Sequence, residues 1–169
     1  MHIRKLEKKD AIRMLEWMHD ETVTCYLAQK FSEKTLGDCE KFIESSNSDE
    51  TVNVHRAICD DEDTYLGTVS LKHIDKTNQN AEYAISMHGD SIGTGASAFG
   101  TKEILKYAFD ELFLEKVYLN VIPSNIRAKK FYKKMGFELE GIAKKHICIK
   151  GQLEDLEWYG YLKEKNNES

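Results

Sequence analysis

A chain of 169 residues with 41% hydrophobic residues can bury one sizeable core, so we expect a single domain over residues 1–169. Its 24 basic and 29 acidic residues give a net charge of −5, which argues against a nucleic-acid-binding protein because such proteins present a basic face. The sequence has no apolar run of membrane-spanning length, no apolar leader segment, and no metal-binding spacing among its four cysteines. These features predict a cytoplasmic protein that binds neither a membrane nor a metal.

The first third of the chain predicts a strand and two helices. His2 to Leu6 has the alternation of a short strand, and apolar residues recur at helical spacing from Ala11 to Met18. Thr35 and Asp38 fit the capping box that begins a second amphipathic helix. The polar residues 45–50 predict a loop at the end of that helix.

Three segments with period-two alternation follow, and short polar turns join them. They comprise residues 52–59, 65–74 and 81–87. The alternation predicts strands, and the short turns predict an antiparallel meander. In the last of these strands Tyr83, Ile85 and Met87 share one face, and Glu82 lies on the other.

A glycine-rich turn separates this last strand from a long predicted helix. Gly93 and Gly95 allow a positive φ and close approach of the backbone to a ligand, and free N–H groups where a helix begins bind anions such as phosphate. The segment also matches the pattern G-x-G-x-x-A, which ends at Ala98 and is typical of a dinucleotide-binding turn. That motif belongs in a parallel βαβ unit, usually the first of its domain, whereas this turn follows an antiparallel meander. A turn that needs glycine for its conformation alone remains the third interpretation.

The last third predicts a strand, a short helix and a final hairpin. Residues 117–122 have the composition of a buried strand, and residues 123–125 begin a helix that Gly136 ends as a left-handed cap. The inner stripe of this helix comprises Ala128, Phe131, Tyr132 and Met135. Residues 138–149, with a kink near Gly141, and residues 154–162 predict the hairpin strands, and the polar tail 163–169 is expected to fray.

The segment from residue 121 to residue 137 resembles the GNAT acetyltransferase superfamily. The family pattern V-x-x-x-N-x-x-A-x-x-x-Y-x-x-x-G-F is matched by Val121, Asn125, Ala128, Tyr132, Gly136 and Phe137. The family also carries a Q/R-x-x-G-x-G/A loop one helix earlier, where this chain has Asp90 in place of Gln or Arg. The two ends of the chain resemble the branch that holds ribosomal-protein alanine acetyltransferases and spermidine acetyltransferases. The resemblance covers nearly the whole chain.

The resemblance implies an α/β (α+β) fold, a mixed and mainly antiparallel sheet of six to seven strands with helices on both faces. It also implies that the strand before the glycine loop and the strand after the long helix splay apart, with acetyl-CoA in the gap. The backbone N–H groups that would hold its pyrophosphate belong to Ile92, Gly93, Thr94, Gly95 and Ala96. Because a carboxylate near pyrophosphate is unfavourable, Asp90 is expected to turn away or to weaken cofactor binding.

The resemblance also implies roles for three further side chains. Tyr132 matches the tyrosine that protonates the leaving thiolate, and Asn125 matches a residue that contacts the cofactor arm. Glu82 matches a glutamate of the strand before the loop, acting as a base through water or holding a cationic acceptor. Each has a structural alternative: Tyr132 as a core residue, Asn125 as a helix cap and Glu82 as a solvated strand residue. His88 is a rival base.

The acceptor implied by the resemblance is a primary amine on a small molecule or a peptide. A protein N-terminus, a polyamine and an amino sugar all remain open, as do a monomer and a homodimer. Trp17, Tyr26 and Phe31 either line the acceptor pocket or pack the N-terminal helices. A non-catalytic acyl-CoA-binding or regulatory module on the same fold is the alternative to an enzyme.

Overall fold

The computed structural model describes residues 1–164. The last five residues of the predicted tail, 165–169, therefore lie outside the described residues. These residues form one seven-stranded sheet with helices on both faces. Its strands are β1 (His2–Lys5), β2 (Val54–Cys59), β3 (Tyr65–Asp75), β4 (Asn80–Met87), β5 (Lys116–Val121), β6 (Glu138–Ile149) and β7 (Gln152–Leu162). The spatial order is β1-β2-β3-β4-β5-β7-β6, and only β4 and β5 pair in parallel. The predicted mixed, mainly antiparallel sheet is therefore confirmed with seven strands.

Five helices accompany these strands in the described part of the chain. They are α1 (Ala11–His19), α2 (Glu21–Thr24), α3 (Leu36–Ser48), α4 (Ala96–Lys106, continued by a wider turn over Tyr107–Glu111) and α5 (Ile126–Lys134). Among the described residues, no helix combines the length and the hydrophobicity that crossing a membrane requires.

Helix α3 begins where the sequence predicts but ends later. The Thr35 N–H donates to Asp38 Oδ2 at 2.8 Å, and the Asp38 N–H donates to Thr35 Oγ1 at 3.3 Å, so the capping box is confirmed. The predicted loop at residues 45–50 is wrong for residues 45–48, which are helical. The hydroxyls of Ser45 and Ser46 donate to the Phe42 carbonyl at 3.0 and 2.6 Å, and these bonds satisfy polar groups inside the helix.

The two faces of the sheet carry separate cores. We call the face with Glu82, Ala84 and Ser86 the front face, and the face with Tyr83 and Met87 the back face. On the front, α1 packs against β3 and α3 packs against β2, and the core there includes buried side chains of both helices. Helix α4 packs on the back against β1 to β4, and α5 contributes partly buried side chains to the same core.

Strands β4 and β5 separate after a short parallel pairing. The pairs are Asn80 with Lys116, Ala81 with Val117 and Glu82 with Tyr118. Beyond them β5 pairs only with β7 among the described residues, so the edge of β4 from Tyr83 to Met87 has no strand beside it. The two strands therefore splay into a V with its apex at Glu82 and Tyr118, as the family resemblance implied.

The β6–β7 hairpin is irregular and contacts the N-terminal part of the chain at its tip. Its register shifts between Leu139 and Gly141, which confirms the predicted kink, and again between Ala143 and Ile147. At the hairpin tip, Lys150 Nζ lies 3.1 Å from Glu21 Oε1 of α2. The tip of the hairpin thus lies beside α2.

Candidate active site

The glycine loop lies at the open end of the V and presents free backbone donors. Gly93 and Gly95 have φ of 82° and 89°, and a Cβ on either would meet nothing within 4 Å. Both therefore need glycine for conformation, while the space above them is open. Their N–H groups donate to no described atom, whereas Ile92, Thr94 and Ala96 make long bonds of 3.3–3.4 Å within the turn. This arrangement suits an anion, with Gly93 and Gly95 as the free donors.

Asp90 is held against the first helix. Its Oδ2 lies 3.2 Å from Arg13 Nη2, and its Oδ1 lies 2.6 Å from His88 Nδ1. Burial alone would raise the pKa of Asp90, but the Arg13 hydrogen bond and the nearby His88 outweigh it, so this pKa lies below its usual value. The Asp90 carboxylate is thus charged at neutral pH and paired with Arg13.

His88 links the glycine loop to the first helix through both ring nitrogens. Its Nε2 lies 2.8 Å from Glu16 Oε2, and its Nδ1 faces Asp90. Because both nitrogens face carboxylates, the imidazole has no lone pair directed at the V. The geometry therefore disfavours His88 as the rival base.

Asn125 begins helix α5 as the sequence predicts. Its Oδ1 accepts a hydrogen bond from the Ala128 N–H at 3.2 Å. This cap uses only the oxygen, and the Asn125 amide NH₂ donates to no described residue. Capping and cofactor contact are therefore compatible, since they use different atoms of the same side chain.

Tyr132 differs from the core tyrosines in its hydroxyl. The hydroxyls of Tyr65, Tyr83 and Tyr159 all bond to a protein side chain, at 2.7 Å to Thr68, 2.8 Å to Thr101 and 2.9 Å to Glu157. The Tyr132 hydroxyl bonds to no described residue, although its ring packs between Tyr83 and Phe137 at centroid distances of 5.9 and 6.1 Å. Burial raises the pKa of Tyr132 to about 12, so the hydroxyl stays protonated at neutral pH.

Glu82 lies at the apex of the V and faces the front. Its Oε1 is 3.1 Å from Lys72 Nζ and its Oε2 is 3.5 Å from His73 Nε2. The side chain is 19% exposed, so it is neither free in solvent nor sealed in the core. The carboxylate thus lies between the side chains of Lys72 and His73.

A cavity of about 260 Å³ opens on the front face beside the V. Ala84, Ile85 and Ser86 of β4 form its boundary toward the V, and side chains of α1 and α3 form its walls. Trp17 and Phe31 line this cavity and also pack on each other at a centroid distance of 5.2 Å. Tyr26 is not among the lining residues of this cavity.

Residues 3–158 match the family model described as an acetyltransferase (GNAT) domain. The chain belongs to the GNAT acetyltransferase family. It is 25% identical over 163 residues to the uncharacterized N-acetyltransferase p20 of Bacillus licheniformis, covering 95% of this chain and 92% of that protein. It is 34% identical over 94 residues to the spermidine N(1)-acetyltransferase of Escherichia coli, which covers 56% of this chain and 50% of that one.

The fold of this acetyltransferase is shared with solved structures. A Vibrio cholerae spermidine N-acetyltransferase in complex with CoA and spermine superposes with a TM-score of 0.85 at 22% identity, covering 95% of this chain and 94% of that chain. Family membership makes this chain an acyltransferase that transfers an acetyl group to an amine. A non-catalytic module on the same fold is correspondingly disfavoured.

Two residues beside the candidate site were not singled out from the sequence. His55 lines the front cavity with Nδ1 2.7 Å from Ser70 Oγ, and burial, aided by the charges of Lys72 and Arg56, lowers its pKa to about 4. Asn120 lies on the splayed part of β5, and its Oδ1 is buried with no hydrogen-bond partner among the described residues. An asparagine inside an otherwise apolar strand was the available signal for Asn120, whereas the position of His55 depends on strand register.

A group of possible metal ligands lies away from this site, at the paired edge of β1 and β2. Donor atoms of His2, Cys59 and Asp63 fall within 4.8 Å of one another. Asp63 already accepts a hydrogen bond from Arg4 Nε at 2.7 Å, and burial raises the pKa of the Cys59 thiol to about 12. Because a cysteine ligand must be a thiolate, this group fits an ion-pair cluster around Arg4 better than a metal centre.

Proposed function

We propose that this acetyltransferase uses acetyl-CoA, held in the V between β4 and β5, to acetylate a primary amine bound in the front cavity. The observation that carries this proposal is the short pairing of the two strands, which ends at Glu82 and Tyr118. The V connects the glycine loop at its open end with the cavity beside β4. Those are the two sites that a nucleotide thioester and an amine require.

The dimensions and donors of the V support acetyl-CoA as the acetyl donor. From the end of the strand to Glu82, about five residues of β4 span roughly 17 Å at ~3.3 Å per residue, a length comparable to the extended pantetheine arm. The free N–H groups of Gly93 and Gly95 would hold the pyrophosphate at one end, with Ile92, Thr94 and Ala96 completing the loop. The free amide of Asn125 would contact the arm. When bound, this cosubstrate supplies an activated thioester for attack by the amine.

Tyr132 would serve as the proton donor. Its hydroxyl is protonated at neutral pH and has no partner among residues 1–164, so it is available to donate a hydrogen bond to a developing thiolate. A thiol has an ordinary pKa of about 8.5, well below the value of about 12 for Tyr132. Donation therefore stabilises the leaving sulfur through a hydrogen bond in the transition state, without requiring a complete transfer of the proton before the bond breaks.

Glu82 would handle the proton that the amine loses. Its side chain lies on the front of the sheet, the side on which the cavity opens, and its pairing with Lys72 at 3.1 Å makes direct abstraction unfavourable. We therefore assign it a relay through water, with Lys72 keeping the carboxylate in place. Burial of the amine in the apolar cavity helps, because burial lowers the pKa of an ammonium group and increases the neutral fraction.

The remaining assignments follow from the same proposal. We propose one acetyltransferase domain over residues 1–169, which the family match over residues 3–158 supports. The proposed reaction needs no metal ion, because a thioester is already activated toward amines. A cytoplasmic location, and the choice between a monomer and a homodimer, stay predictions.

A matched pair of glycine variants tests the cofactor site. Gly95 and Gly151 have φ of 89° and 79°, and a Cβ on either meets nothing within 4 Å, but Gly151 lies in the β6–β7 turn. Acetyl-CoA at 100 times its dissociation constant should stabilise the wild type by about 2.7 kcal/mol. Gly95→Val should lose this thermal shift and Gly151→Val should keep it. Retention by both variants, or a shift with NAD instead of acetyl-CoA, would overturn the proposal.

A further inference from the structure

We propose that His55 is a specificity-determining residue, and that the acceptor amine carries a second hydrogen-bonding group at its far end, bound to His55 Nε2. Amino alcohols and amino amides belong to this class of acceptor, and unsubstituted alkylamines do not. The proposal rests on the proposed function, because it takes the front cavity as the acceptor site. It adds a chemical requirement on the part of the acceptor that does not react.

The His55 ring is held from two sides beside the front cavity. Its Nδ1 lies 2.7 Å from Ser70 Oγ on the neighbouring strand. The Phe42 ring of α3 packs edge-on against it, at a centroid distance of 4.9 Å and an interplanar angle of 65°. His55, Ser70 and Phe42 all line the cavity. The imidazole therefore has a fixed orientation, which recognition of a ligand group requires.

The second ring nitrogen is left without a protein partner. Nε2 of His55 bonds to no atom of residues 1–164, and it is not sealed from solvent as Asn120 Oδ1 is. Burial lowers the pKa of His55 to about 4, so the ring is neutral at pH 7 and has one donor and one acceptor nitrogen. Ser70 occupies Nδ1, and Nε2 keeps the other role. A hydroxyl or an amide fits Nε2 in either tautomer, because such a group both donates and accepts.

The strand register sets the distance from this histidine to the V. His55, Ser70 and Ala84 pair in one row across β2, β3 and β4. Neighbouring strands are ~4.8 Å apart, so β2 lies roughly 10 Å from β4, whose free edge borders the V. An acceptor that places its amine at the V and its second group at His55 must span a comparable distance. The chain of 6-aminohexan-1-ol is long enough for this, and that of 2-aminoethanol is too short.

An acceptor without the second group would leave Nε2 unpaired. A terminal methyl would displace water from this nitrogen and offer no hydrogen bond in return, whereas a hydroxyl replaces the bond to water. Sites built around a polar group reject a ligand that lacks the matching group more strongly than apolar sites reject a change in size. The enzyme should therefore separate an amino alcohol from an alkylamine of the same length.

Two matched pairs of amines test the proposal. 6-Aminohexan-1-ol and heptylamine differ only in a terminal hydroxyl against a methyl, and 2-aminoethanol and propylamine differ in the same way on a shorter chain. We expect kcat/KM, measured by coenzyme A release, to favour the hydroxyl at least fivefold in the long pair and less than twofold in the short pair. Calorimetric binding of the long pair in the presence of coenzyme A should give the same order, and it decides the matter where turnover is slow.

The failures of the two proposals are distinguishable. Equal kcat/KM and equal affinity in the long pair would overturn the present proposal and leave the proposed function intact. An equal hydroxyl advantage in the short pair would do the same, because a short chain cannot reach His55. No turnover of any amine, with no thermal shift by acetyl-CoA, would overturn both.

Variants of two histidines locate the effect. His55→Phe keeps a ring against Phe42 and removes Nε2, so it should raise KM for 6-aminohexan-1-ol at least fivefold with little change in kcat. KM for heptylamine should stay within twofold. His146→Phe alters an exposed histidine outside the cavity and should keep the wild-type values. Ser70→Ala frees the imidazole and should reduce the hydroxyl advantage. Persistence of the wild-type ratio in His55→Phe, or in Ser70→Ala should His55→Phe fail to fold, would overturn the proposal.

Discussion

The Tyr132 ring packs edge-on against the Tyr83 ring, with centroids 5.9 Å apart and an interplanar angle of 86°. Tyr83 points to the back of the sheet, and its neighbour Glu82 points to the front, where it pairs with Lys72. The proposed proton donor and the proposed proton relay therefore lie on opposite sides of β4. Only the V joins the two sides, so each contribution can be removed separately by mutation.

Removal of the Tyr132 hydroxyl should impair catalysis without affecting the fold. We expect Tyr132→Phe to lower kcat by roughly 10²-fold, the loss typical for an acid–base group. Thermal stability should be unchanged, because the hydroxyl bonds to no residue in the described part of the chain. Tyr83→Phe is the matched control, since its hydroxyl bonds to Thr101 at 2.8 Å. It should cost about 1 kcal/mol of stability and leave kcat unchanged. A wild-type kcat in Tyr132→Phe would make this tyrosine a core residue.

Replacement of Glu82 by glutamine should separate a proton relay from acceptor binding. A relay role predicts that Glu82→Gln lowers kcat, whereas acceptor binding predicts a raised KM for the amine with kcat nearly intact. We expect the loss in kcat. Glu140→Gln is the control, because it breaks a lysine pair outside the site, that of Glu140 Oε1 with Lys116 Nζ at 2.5 Å. It should change neither kcat nor KM. Steady-state kinetics over a range of pH measures both. If Glu82→Gln leaves both kcat and KM unchanged, Glu82 is a solvated strand residue with no part in catalysis.

Asn120 should show opposite effects on stability and activity. Its Oδ1 is buried without a partner, and an unsatisfied buried acceptor costs about 1–3 kcal/mol. Asn120→Leu should therefore raise Tm, by about 2–4 °C for each kcal/mol in a chain of this size. The same substitution should lower kcat/KM if Asn120, which lies on the part of β5 that has separated from β4, borders the bound substrates as the proposed function requires. Thermal unfolding and coenzyme A release measure the two effects. A lower Tm together with unchanged activity would show that Asn120 is structural.

His55 should make the protein sensitive to acid. Its pKa is about 4 in the folded protein and 6.5 ordinarily, so the unfolded chain binds a proton at a higher pH than the folded chain. The stability linked to His55 is therefore present above pH 6.5 and is lost as the pH falls toward 4. His55→Gln should flatten the decline in the free energy of unfolding between pH 7 and 5, measured by urea denaturation. His146→Gln alters an exposed histidine on β6 and should keep the wild-type slope. An unchanged slope in His55→Gln would contradict the prediction.

Local sequence signals predicted much of the framework. The Thr35 capping box, the Asn125 cap and the left-handed Gly136 are all present, because each depends on residues within one turn of chain. The positive φ of Gly93 and Gly95 follows in the same way. The V itself came from the family resemblance and not from residue patterns, since no local signal states where two paired strands part.

The acceptor side could not be predicted for a different physical reason. The front cavity gathers side chains from Met14 to Ser86, and the row of His55, Ser70 and Ala84 exists only in the folded register. The extra turn of α3 was missed because its serines satisfy their hydroxyls within the helix. The isolation of the Tyr132 hydroxyl is likewise a property of packing, and the sequence shows only that a tyrosine is present.

The central claim is that acetyl transfer takes place in the V between β4 and β5. The most direct measurement is a crystal structure of the enzyme with bound coenzyme A. The account predicts pyrophosphate on the N–H groups of Gly93 and Gly95, the arm alongside Tyr83 to Met87, and the sulfur within hydrogen-bonding distance of the Tyr132 hydroxyl. A sulfur bound outside the V, or one beyond the reach of Tyr132, would contradict it.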